Sequence, residues 1–202
     1  MSPFHKRRTI YSTKGETGLI FALLLGCFEK EELKEIKKEE IVQHETCNDD
    51  IIVSQTAKNI TDIQKDTAIV IEKNFNNLQI PKNITAAAIV NAFAESGLKP
   101  KIIGDNGNSV GLFQLNRFGL GSKMSVSHRQ DANINSTVVG VQILKNQKLL
   151  DKEKNGATIS ELASIFVEDI MRPKEIEKEK QLRAKLSKKI FPIRIEDKCI
   201  TA

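Results

Sequence analysis

The sequence predicts a mainly α-helical domain with a small β-hairpin, and three observations lead there. Apolar residues recur at helical spacing in several stretches between Lys58 and Ile190. Helix-start and helix-stop residues bound those stretches. Between two of them lies a turn rich in Gly and Asn, with apolar residues on either side. The 202 residues suffice for one domain with a core, plus a tail or anchor. With 40% apolar residues but only 5% aromatic, no Trp and one Tyr at position 11, that core must rest on Ile, Leu, Val, Ala and Phe.

Residues 1–28 open with His5, Lys6, Arg7 and Arg8, and the run Gly18–Phe28 that follows is uninterrupted in its apolar character. A basic start before an apolar core is an export pattern. The run is much shorter than the roughly 20 residues that span a bilayer. Leu24-Leu25-Gly26-Cys27 resembles the bacterial lipobox, whose cysteine is lipidated, although Leu25 is an unusual occupant of its position. Signal peptide, lipid anchor, membrane-associated helix and apolar helix packed in an assembly all stand as readings of this segment. None makes it part of the catalytic core.

Residues 29–57 read as a charged spacer. Glu29–Gln43 has high helix propensity but too few apolar residues to fold by itself, and folded structure is expected to resume after Asn48-Asp49-Asp50. From Lys58 to Leu78, Ile60, Ile63, Ile69, Val70, Phe75 and Leu78 suggest one or two helices. Pro81 breaks the pattern, and Asn83 or Thr85 is the expected cap of a helix over Ile84–Ser96, whose alanines 86, 87, 88, 92 and 94 suit close packing. Gly97 stands where a left-handed residue commonly ends a helix.

Lys99–Leu115 places Gly104, Gly107 and Gly111 among Asp105, Asn106, Asn108 and Ser109, so Ile102-Ile103 is expected to pair with Val110–Leu115 as a hairpin. Ile134–Leu150 returns to helical spacing, with Asp131 or Asn133 as its cap. Thr158–Glu161 is a capping-box sequence opening a helix with Leu162, Ile165, Phe166 and Ile170. Pro173 ends it, and a charged helix runs to about Ile190, followed by a tail over 191–202. No repeat is visible.

The net charge of +5 favours an anionic partner without choosing one. Much of the excess lies in the last third, where Lys178, Lys180, Arg183 and Lys185 alternate with Glu177 and Glu179 and read as a solvated helix face. Charge is the whole basis for a nucleic-acid partner, and none is expected. Cys27, Cys47 and Cys199 form no CxxC, and His44 with Cys47 lacks the second pair that a structural zinc site needs, so neither a disulfide framework nor a metal is expected.

Glu95 follows an apolar helical face and falls in that helix's last turn. The negative end of the helix dipole and partial burial both disfavour ionisation, and a carboxyl that keeps its proton can act as a general acid. A lone Glu on a helix is more often a surface residue, so its context has to carry the argument.

Glu95-Ser96-Gly97-Leu98, then Gly104-Asp105-Asn106-Gly107-Asn108-Ser109, then Gly111-Leu112-Phe113-Gln114 resembles the lysozyme-like superfamily. The order is that of goose-type lysozymes, lytic transglycosylases and phage tail lysozymes. Asp131–Ile134 and Leu162–Pro173 resemble later segments of the phage tail group, with Met171 where Glu is usual. The resemblance covers about Lys73 to Ile190, and it implies a lysozyme-like catalytic domain over 58–190.

The resemblance further implies a peptidoglycan-cleaving glycosidase acting on the β-1,4 bond between N-acetylmuramic acid and N-acetylglucosamine, without a cofactor. Glu95 would be the acid and Asp105 a candidate second catalytic residue, holding the attacking water. The interval from Glu95 to Asp105 is shorter than in goose-type enzymes. Ser96, Ser109 and Gln114 would contact the saccharide. The plainer readings are that Glu95 pairs ionically in an inactive copy of the fold, that Asp105 stabilises its own turn, and that Gln114 serves buried backbone groups.

A lytic transglycosylase often has a late Tyr in its cleft. The single Tyr11 lies outside the domain, which favours hydrolysis. The alternative class is a non-enzymatic virion or envelope module that keeps the fold to bind glycan or to serve as structure. The expected partners are glycan strands and virion, tail or envelope proteins, with membrane association through residues 18–28. The expected location is the virion or the bacterial cell envelope.

Overall fold

The computed structural model describes residues 53–195, and it is mainly helical with one small antiparallel sheet. The N-terminal signal or anchor segment with Cys27, most of the charged spacer, the His44–Cys47 pair and Cys199 lie outside the described residues. Among those described, no helix is long and apolar enough to cross a membrane.

A short helix, α1 (Val53–Thr56), comes first. Its free N–H groups are met by the buried carboxylate of Glu72, which accepts from Val53 N at 2.6 Å and from Ser54 N at 3.0 Å. A carboxylate suits the positive end of a helix. The stretch read as one or two helices is one, α2 (Asp62–Asn77), opened by a capping box between Thr61 and Gln64. Its inward face is Ala68, Ile71, Glu72 and Phe75, while Ile63 is 78% exposed.

At the centre of the described residues is α3 (Lys82–Ser96). Asn83–Ala92 are buried on every side, so this helix is wrapped rather than amphipathic, and its alanines let neighbours approach closely. It starts earlier than expected, and neither Asn83 nor Thr85 caps it: Pro81 is the cap residue and makes no side-chain cap bond. Asn83 instead pairs with the backbone of Ile195, accepting at 2.9 Å and donating at 3.0 Å. Gly97 does end the helix in the left-handed conformation, at φ 62°.

The hairpin is a three-stranded sheet of two-residue strands: β1 (Ile103–Gly104), β2 (Ser109–Val110) and β3 (Leu115–Asn116). Ile103 pairs with Val110, and Val110 with Leu115. The expected pairing of Ile102-Ile103 with Val110–Leu115 as a short hairpin is therefore corrected: Gly111–Gln114 is a tight turn, closed by Gln114 N donating to Gly111 O at 3.2 Å. Leu112 and Phe113 are both fully buried, which the alternation of a strand does not allow.

Four helices follow the sheet and one ends the described chain. The first is α4 (Val126–Gln130), and α5 (Ala132–Leu144) is capped by Asp131, one of the two expected candidates. The helix expected across Ile134–Leu150 is broken, because Asn146 caps a separate α6 (Gln147–Lys154) by accepting from Leu149 N. Gly140 on α5 allows the close approach of α2, since a Cβ there would press on Leu78, Ile80 and Phe75.

The capping box at Thr158 opens α7 (Ile159–Phe166), whose end widens into a π-helical turn over Val167–Met171. The last helix is α8 (Ile176–Ile190). α7 and α8 pack on α3, and the rings of Phe113 and Phe166 stack at 6.0 Å, joining the sheet turn to this core. The core also takes in Val53 near one end of the described chain and Phe191 and Ile195 at the other.

Candidate functional site

Glu95 sits one residue before the end of α3, beside the Gly97 cap, and its side chain keeps 21% of its exposure. Burial raises its carboxyl above the usual range. Arg183 opposes that shift by charge and hydrogen bond, while the negative charges of Glu179 and Asp105 add to it. A carboxyl in this setting holds its proton to a higher pH than an exposed one, yet has a cation ready when the proton leaves.

The cation is Arg183 of α8, which is 1% exposed. Its Nη2 donates to Glu95 Oε1 at 2.5 Å, its Nη1 to Glu179 Oε2 at 2.5 Å and its Nε to Asn91 Oδ1 at 3.1 Å. The charged last helix is thus not simply a solvated face. Arg183 lies seven residues after Ile176 and seven before Ile190, on the stripe that turns inward with Ser187. An Arg on the apolar stripe of a helix, four residues after a Glu, is the signal that could have marked it in the sequence.

Asp105 lies exposed in the turn between β1 and β2, in the left-handed region at φ 48°. It accepts from the Ser109 hydroxyl at 2.5 Å. Its charge is felt at Glu95, so the hairpin brings the two expected catalytic carboxylates into one electrostatic neighbourhood. Ser109 is buried and accepts in turn from Asn116 Nδ2 at 3.1 Å, so its hydroxyl ties the sheet together.

Ser96 is buried and its hydroxyl donates to Ala92 O at 2.9 Å, back into its own helix. Gln114 is half-buried at φ 45° and donates to Gly111 O at 2.9 Å and to Ile102 O at 3.3 Å. A Cβ on Gly104 would press on its Oε1, so a larger residue there would have to displace the amide. The amide group of Gln114 thus braces the sheet.

A cleft of about 700 Å³ opens beside this turn, lined by Gln114, Asn116, Gln142, Asn146, Glu168 and Arg172 among others. Gln114 is the one expected site residue on its wall, and Glu95 does not line it. Glu95 is thus set by its ion pair with Arg183 and lies apart from the lining of the cleft. Among the described residues, no three His, Cys, Asp or Glu side chains are grouped to hold a metal.

Comparison with protein-family models, with curated proteins and with solved structures returns no match.

The residues that shape the site and escaped the sequence reading are Arg183, Glu179, Asn91, Asn135 and Arg129. Asn135 is fully buried and donates to Arg129 O at 2.7 Å and Val110 O at 3.3 Å. Arg129 is 3% exposed, and its Nη1 donates to Asn108 O at 2.7 Å and Leu115 O at 3.0 Å, clamping the residue just before β2 to β3 from α4. A polar residue that binds distant backbone carries no local signature, so these two were not legible.

Proposed function

We propose that this chain is a peptidoglycan-cleaving glycosidase with a lysozyme-like domain, acting on the β-1,4 bond between N-acetylmuramic acid and N-acetylglucosamine. Glu95 is the general acid, and it protonates the oxygen leaving with the broken bond. One observation carries the reading: a carboxyl at the end of the central helix has its affinity for a proton raised by burial and keeps a buried guanidinium at 2.5 Å. The three linked motifs around Glu95 support the choice of substrate, through their resemblance to the lysozyme-like superfamily. The same resemblance supports a location in a virion or the bacterial envelope, with glycan strands as partners.

Asp105 is the candidate for holding the water that attacks the opposite face. An inverting hydrolase needs its two carboxyl groups about 6.5–9.5 Å apart to admit that water, and a retaining one about 5–5.5 Å. A lytic transglycosylase needs no second carboxylate, because the sugar's own hydroxyl closes the ring. With no Tyr after position 11 to serve such a cleft, hydrolysis is the preferred form.

A second reading has one observation in its favour. Arg183 favours the ionised form of Glu95, and an acid locked in an ion pair serves structure, as in a glycan-binding or structural module without activity. Mass spectrometry of sacculi treated with the purified protein separates the readings. Muropeptides with reducing ends support the hydrolase, and anhydro ends support the transglycosylase. Binding to sacculi without released products supports the module and overturns the enzyme.

A further inference from the structure

A guanidinium removed from water must find counter-charge and acceptors for its N–H groups. Arg183 finds them in an unequal set: one amide oxygen, from Asn91, and two carboxylates, from Glu95 and Glu179. Asn91 is itself fixed, donating to Ala87 O at 2.8 Å and to Ala163 O at 3.3 Å, so the guanidinium is anchored on α3 and α7 as well as on its own helix. The two carboxylates together carry one negative charge more than the cation can neutralise.

We infer that Arg183 is a positioning residue for Glu95, and that Glu179 is the carboxylate that keeps the guanidinium paired while Glu95 carries its proton. This inference rests on the general-acid role proposed for Glu95. With Glu95 protonated, Glu179 neutralises Arg183, and the carbonyl oxygen of Glu95 still accepts from Nη2 while its O–H is free for the substrate. Once the proton has passed to the leaving oxygen, the Glu95 carboxylate meets the same Nη2. In neither state is the buried cation left without an anion, so proton transfer does not require the side chains to rearrange.

The ionisable groups acting on Glu95 are Arg183 and Glu179 from α8 and Asp105 from the sheet turn. Arg183 favours the carboxylate, and the other two favour the acid. Glu179 precedes Arg183 by one helical turn, the favourable order for such a pair on a helix.

The test uses the full chain and two variants, Glu179→Gln and Arg183→Lys. Glu179→Gln keeps an acceptor for Arg183 and removes the charge. Carbon-13 NMR titration of the Glu95 carboxyl, assigned with Glu95→Gln, should then show its midpoint at lower pH than in the wild type. The alkaline limb of muropeptide release should move down with it. Arg183→Lys keeps the charge but loses the fork that reaches both carboxylates, and should lower kcat by about tenfold to a hundredfold with KM unchanged.

A Glu95 midpoint that is the same in wild type and Glu179→Gln overturns the inference, and so does an unchanged kcat in Arg183→Lys. If the midpoint falls but the wild type releases no muropeptides, the charge pairing is upheld and the glycosidase reading fails instead. Should Arg183→Lys not fold, the Glu179→Gln titration decides the matter by itself.

Discussion

The side-chain oxygen of Asn135 accepts from the backbone N–H of Phe113 at 3.1 Å, while both groups lie out of contact with water. One amide on α5 thereby holds the turn that returns from the sheet, since its nitrogen also donates to Val110 and Arg129. The turn keeps its shape through a side chain more than twenty residues away in sequence.

Asn135→Ala should therefore lower stability by about 2–4 kcal/mol, because it strands a buried N–H and two carbonyl groups. Urea unfolding measures this directly. A loss below about 0.5 kcal/mol would mean that the turn is held by something else.

Gly111→Ala tests the same turn from the backbone side. Gly111 has φ 88°, and a Cβ there would run into the Arg129 carbonyl oxygen and the Asn135 amide. We expect a loss of about 2–4 kcal/mol from the disfavoured φ and the clash together. Ala at Gly107, where φ is 90° but nothing lies within 4 Å of a Cβ, should cost only about 1–2 kcal/mol. Equal losses at the two positions would argue against the clash.

Glu95→Gln should reduce muropeptide release by about a hundredfold or more, the usual worth of a general acid. The variant keeps an acceptor for Arg183, and Glu179 remains to neutralise it, so binding to sacculi should persist. Undiminished lysis would reject Glu95 as the acid.

Glu95 also predicts a pH dependence of stability. Its folded pKa lies above the ordinary carboxyl value of 4.5, so between the two values the folded chain holds a proton that the unfolded chain has released. Stability then falls as pH rises from about 4.5 through the folded pKa and levels off above it. Glu95→Gln lacks this contribution. The wild-type unfolding free energy minus that of the variant should decline across that window, and a difference that is flat or rises with pH contradicts the assignment.

The sequence by itself determined several local features. Gly97 as a left-handed helix end, Asp131 as a cap and the capping box at Thr158 were all legible, because each depends on a few adjacent residues. The position of Glu95 in the last turn of a small-residue helix was legible for the same reason.

The tertiary structure decided what those residues face. Ile63 sits at helical spacing yet lies in solvent, while Asn135 and Arg183 are buried, because burial follows the packing of whole helices and not the apolarity of one side chain. Ser96 and Ser109 stood in the expected cleft motifs, but their hydroxyls close on Ala92 and Asp105 within the fold. Above all, the partner of Glu95 comes from a helix 88 residues away, in a charge run that looked solvated. A buried ion pair is set by which helices cross, and that is not written in either segment separately.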